Sequence, residues 1–272
     1  MSATTRTLRW PFREHDVFAP LLEEHRLPVI HTLPGVIVWP ILLFILAFCF
    51  QFVAVAIWSV LTGAEDMSHF MTVVFGASAA AYLMLGVLMW VRFSRYGAHR
   101  AAFSILPARA SEFLAAFMAL AFVITIGGRL SVQFHDFAML DPTLTIGGGA
   151  DPDTVSNIDE FVSQGAAMWS LILLTIIIAP IVEEVLFRGW MLPMMMARGV
   201  PIIFAILISS LAFGLIHIGQ GLLVMTTTFF LGVALGTARV VTGRVAAPML
   251  GHMANNAWAV FMVPYLINLN AG

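Results

Sequence analysis

Long apolar runs separated by short polar clusters dominate this chain, and the runs are too long for ordinary core elements. A spanning helix needs about 20 mostly apolar residues. By that measure seven spans are predicted, at residues 35–61, 70–91, 113–130, 166–182, 201–217, 222–241 and 246–267. The fourth is expected to continue as helix past the membrane middle. Barrel strands would be about 10 residues long with alternating polarity, so the expected fold class is all-α, a polytopic transmembrane helical bundle. Residues 1–33 form a cytoplasmic or interfacial segment, able to lie on a membrane through Trp10, Phe12, Phe18, Leu21 and Leu22. Residues 34–132 hold three accessory helices, 133–164 an extracytoplasmic loop with six acids and Gly147-Gly148-Gly149, and 165–272 the remaining helical core. The N-terminus lacks a signal-peptide profile, so the first span is expected to act as its own insertion signal.

Composition agrees with the span pattern. Of 272 residues 60% are hydrophobic and only 10% charged, well below the quarter or so that coats a soluble domain. All 13 basic residues are Arg, and the net charge of −2 offers nucleic acid no attraction. Cys49 is alone, which excludes a disulfide framework and a thiolate metal site. Arg also sets the orientation, because positive loops stay in the cytoplasm. With the N-terminus inside, eleven Arg, Arg239 and Arg244 among them, fall in inner segments and only Arg129 in an outer one. The expected location is a bacterial inner or cell membrane.

The polar residues that break the apolar runs cluster in the second half: Glu183, Glu184, Arg188, His217, His252, Asn255 and Asn256. An ionisable residue at a helix centre costs about 2.5–3.5 kcal/mol on insertion scales, so these side chains must face one another or a wet cavity. Glu184 and Arg188 are four apart and can pair on one helix face, leaving Glu183 rotated away by about 100°. Phe213 and His217 share a face in the same way, as do His252 and Asn256. At 1.5 Å per residue from the turn at Arg198 and Pro201, Glu183 lies about 22 Å deep and His217 about 24 Å. His252 lies only about 12 Å past Arg244, which fits only if the last span starts deeper or tilts; Gly243 and Pro248 allow a re-entrant start. Trp190, Met191 and Met194-Met195-Met196 read as lipid-facing or packing residues rather than a groove.

A Glu and a His at one site can activate water. A neutral His and an Asn amide can hydrogen-bond the oxyanion formed when water attacks a carbonyl. Alternatively Glu183, His217 and His252 could hold a zinc ion with a position open for water. Both arrangements give amide hydrolysis.

Three pieces, Glu183-Glu184-x-x-x-Arg188, Phe213-x-x-x-His217 and His252-x-x-x-Asn256, together resemble the signature of the CPBP family, the CAAX-processing and bacteriocin-processing (Abi-type) intramembrane proteases. The resemblance spans roughly residues 166–264; the first three spans carry no motif and only add apolar helices. It implies Glu183 and His217 activating water, His252 and Asn256 stabilising the oxyanion, and Arg188, Glu184 and Phe213 shaping the site. It leaves metal use open, with zinc the first candidate. The implied partner is a membrane-associated protein or peptide substrate beside the lipid bilayer, prenylated or not. Two other classes compete: a non-catalytic scaffold using the same pocket, whose effect would survive loss of Glu183, and an ion-coupled carrier. No inverted repeat or pair of broken helices supports the carrier.

Overall fold

The computed structural model describes residues 33–62, 67–95, 99–139, 166–197 and 199–263. The expected interfacial segment, most of the acidic loop and the end of the last span lie outside them. Within them, helices stand at all seven predicted positions. Helix α1 spans Leu33–Thr62, α2 Met67–Ser94 and the short α3 His99–Ala102. Next come α4 (Ala110–Phe122), a π-helical stretch (Val123–Gly127) and α5 (Gly128–Met139), which follow without a break. Helix therefore runs on to Met139, into the stretch expected to be loop from Gln133. The central run consists of α6 (Ala166–Ile172), π stretch Leu173–Ile178, α7 (Ala179–Glu184), π stretch Val185–Met191 and α8 (Leu192–Ala197). Helices α9 (Ile202–Leu215), α10 (Leu222–Thr242) and α11 (Ala246–Ala257) complete the fold, α11 ending in a π stretch, Trp258–Met262.

Among the described residues, five of these runs are long and apolar enough to cross a membrane, so the count of seven is not confirmed. Helix α9 has 14 residues, about 21 Å of rise against a hydrocarbon core of about 30 Å. The α11 run is interrupted by His252, Asn255 and Asn256 and opens inside the protein, with Val245, Ala246 and Ala247 fully buried. The chain is an integral membrane protein.

The central run is the core. From Val182 to Met196 nearly every side chain is buried, including Trp190, Met191 and Met194 to Met196, so the methionine run packs inward. It is flanked by α1 and α2 on one side and by α9, α10 and α11 on another. Lipid supplies no hydrophobic drive between helices, and small residues therefore mark the closest approaches. A Cβ on Gly189 would lie 2.6 Å from the Ala102 carbonyl oxygen, and one on Gly232 would lie 2.9 Å from Ser210.

The entry to α11 is tied down by polar contacts. Gly243, at φ 72°, closes α10 with its N–H donating to the Arg239 carbonyl. The Val245 N–H donates to Ser104 Oγ at 3.1 Å. Arg244 donates to the Leu106 carbonyl and forms an ion pair with buried Glu112 at 3.1 Å, an approach whose N–H is not aimed for a hydrogen bond. Arg239, counted above among the loop charges, is fully buried, and its Nε donates to the Arg188 carbonyl at 2.9 Å. A buried, bonded Arg does not act as a topogenic loop charge, so the asymmetry rests on the others.

Replacing Gly189 by Ala should lower stability by about 1–3 kcal/mol, because the backbone must shift to admit the methyl. Gly76, with open space around its Cβ position, is the control for the same change. Equal melting temperatures for the two variants in detergent would contradict this packing.

Candidate active site

Two π stretches bracket Glu183 and Glu184 on the central run. Such bulges occur frequently at functional sites, because they re-aim side chains and release backbone groups. The first one releases a carbonyl here. The Ala179 N–H donates to Leu174, and Pro180, the next donor in either register, has no N–H. The Thr175 carbonyl is thereby available, and Asn256 Nδ2 donates to it at 2.8 Å. That bond joins α11 to the central run and fixes the Asn256 amide, whose Oδ1 accepts from Asn255 Nδ2 at 3.3 Å.

Glu184 is the hub. Its Oε1 accepts from Arg188 Nη1 at 2.8 Å and lies 2.9 Å from His252 Nδ1, with all three side chains at 3% exposure or less. The predicted Glu184–Arg188 pair is thus present, and it also receives a histidine. A carboxylate only accepts, so Nδ1 of His252 carries the hydrogen and Nε2 turns toward Glu183, 3.8 Å from its Oε2. Arg188 in addition donates to the Gly232 carbonyl at 3.1 Å and lies over the Phe213 ring, 4.5 Å from its centroid.

Phe213 contacts both histidines. Its ring meets His217 edge-on at 5.1 Å and His252 at 5.4 Å. His217 Nδ1 sits 2.9 Å from the Phe213 carbonyl, which again places the hydrogen on Nδ1 and leaves Nε2 as the outward lone pair. His217 is partly exposed, beside the turn at Ile218–Gln220. Among the described residues, no ion pair or hydrogen bond joins His217 to Glu183. Glu183, Glu184 and His252 are brought together directly, Asn256 is bonded to Thr175 on the same central run, and His217 joins through Phe213.

The depth mismatch of His252 is resolved by the buried start of α11. Because that helix opens inside the protein, seven residues past Val245 suffice to reach the carboxylates. The zinc donor set fares differently. Among the described residues no three His, Cys, Asp or Glu side chains stand where they could hold one metal ion.

Residues 165–258, about a third of the chain, match the family model described as type II CAAX prenyl endopeptidase Rce1-like. That model is one of the CPBP family. No curated protein and no solved structure matches the chain. The CPBP segment begins just before the central run and ends after Asn256, so it contains all three motifs. It does not contain every residue at the site. Tyr82, on α2, donates its hydroxyl to Glu183 Oε1 at 2.8 Å. The helices expected only to add apolar bulk therefore reach the carboxylate. A single Tyr, in a span that also holds Thr72 and Ser78, carries no spacing signal.

Removing Arg188 alone, as Arg188→Met, should cost about 3–5 kcal/mol by leaving Glu184 buried without its cation. The double variant Glu184→Gln with Arg188→Met should recover part of that loss. Denaturant unfolding in detergent measures the cycle, and a double variant weaker than the sum of the singles would contradict the pairing.

Proposed function

We propose that this protein is an intramembrane endopeptidase in which Glu183 takes a proton from water that attacks a peptide carbonyl of a membrane-associated substrate. The observation that carries the reading is a partly free carboxylate, Glu183, held beside an imidazole and, among the described residues, paired with no Arg. Family resemblance adds the reaction class, since the matched segment is that of a CAAX-type protease.

In this reading one proton passes between Glu183 and His252. With that proton on His252, Nε2 becomes a donor able to stabilise an oxyanion; with it on Glu183, the carboxyl can pass it to the leaving amine. His217, with its Nε2 lone pair outward, assists in placing the water. Asn256 still has a second amide hydrogen after serving Thr175, and this supplies the other oxyanion donor. Every step is routed through protein side chains, in keeping with donors that do not converge on one metal position. The segment's description names a prenyl endopeptidase; a prenylated CAAX end is one substrate class within this proposal, and an unprenylated membrane peptide is the other.

Glu183→Gln should remain folded and membrane-inserted while proteolysis is lost. Comparing substrate termini in membranes from cells carrying wild type or Glu183→Gln tests this, and an unchanged set of termini would favour the scaffold reading. Asn256→Ala should slow cleavage by about 10²–10³, the typical cost of one oxyanion donor. Incubation with a zinc chelator should leave the cleavage rate unchanged; loss restored by added zinc would refute the metal-free route.

A further inference from the structure

Glu183 presents two different oxygens. Oε1 is taken by the Tyr82 hydroxyl at 2.8 Å, while Oε2 faces His252 Nε2 at 3.8 Å, beyond hydrogen-bond range. The Tyr82 ring is itself held: it meets Phe44 of α1 edge-on at 5.7 Å, and Phe44 stacks on Phe187 at 5.9 Å with ring planes 21° apart. Phe187 lies on the central run and meets Phe213 at 5.4 Å. An aromatic chain thus links the phenol on α2 to the ring that carries both histidines. Both α1 and α2 lie outside the matched segment.

We infer that Tyr82 is a positioning residue for Glu183, contributed from outside the family segment, which locks the carboxylate by Oε1 so that Oε2 is the oxygen that acts as base. This rests on the protease reading above. Without the hydroxyl, nothing on α2 prevents the carboxylate from rotating toward His252 and closing on it directly. The water-activating lone pair would then be spent on the imidazole. Removing a hydrogen bond to a charged group should slow the chemical step by about ten- to a hundredfold, while substrate binding is left alone.

Tyr82→Phe keeps the ring, and with it the contact to Phe44, and deletes only the hydroxyl. Two measurements on full-length protein decide the matter. The first is pulse-chase processing in cells of the substrate whose termini depend on Glu183. Tyr82→Phe should slow that processing at least tenfold at unchanged protein level and detergent melting temperature. In the purified system kcat should fall and KM stay within twofold. Processing at the wild-type rate would overturn the proposal, as would a loss that tracks a lowered melting temperature.

The second measurement needs no substrate. Dicyclohexylcarbodiimide, a membrane-soluble carboxyl reagent, is applied to wild type and Tyr82→Phe, and adducts on Glu183 are quantified by mass spectrometry, with Glu112 as the internal control. Freeing Oε1 should raise Glu183 labelling several-fold and leave Glu112 unchanged. Equal Glu183 labelling would overturn the proposal even if no proteolysis is found, whereas increased labelling without any Glu183-dependent termini would uphold the lock and refute the protease reading instead.

Discussion

One carboxylate oxygen, Glu184 Oε1, receives both Arg188 and His252, and the rest of the architecture can be traced from it. A buried carboxylate is tolerable in an apolar helix only if its charge is matched and hydrogen-bonded; Oε2 of Glu184 has no hydrogen-bond partner among the described residues, so Oε1 carries both contacts. Matching it fixes Arg188 on the same helix; using it draws α11 inward until His252 arrives. Arg188 in turn needs acceptors for its remaining donors and finds the Gly232 carbonyl, which is reachable because Gly232 lets α10 approach closely. Its own carbonyl is then capped by Arg239. Three helices are thus positioned by the requirement to neutralise one group, and Glu183 next to it pairs with no Arg among the described residues.

The amino-acid pattern was most informative where lipid imposes a strict rule. Helices were legible as uninterrupted apolar runs, and the polar exceptions Glu183, Glu184, Arg188, His252 and Asn256 were legible because each is expensive in that setting. Their helical spacing foretold the Glu184–Arg188 pair. What periodicity could not convey was depth: α11 begins inside the protein, and only the contacts of Val245, Arg244 and Glu112 with the segment before α4 establish that. Nor could it identify Tyr82, whose meaning lies in a partner 101 residues away. Arg239 misled for the related reason that a buried Arg and a loop Arg look alike in the last turn of a helix.

The π stretches explain why a regular helix would not serve. An α-helical run through Pro180 would leave a carbonyl orphaned with no ready partner, and would aim Glu183 and Glu184 differently around the axis. Widening the helix moves the orphan to Thr175, where Asn256 meets it. The same asparagine therefore ties two helices together and keeps one hydrogen to spare for chemistry.

Helix α9 is 14 residues long, and that brevity has a consequence for the surrounding bilayer. A helix about 21 Å in rise falls short of the hydrocarbon thickness by about 9 Å. A shortfall of this kind is met by thinning of the adjacent lipid leaflet, or by a polar dimple above the exposed turn at Ile218–Gln220. The exposed turn at Ile218–Gln220 and the partly exposed His217 stand at one end of this short helix. Hydrolysis within a membrane needs a water supply as much as it needs a base, and for the proposed protease we assign that end as the inlet.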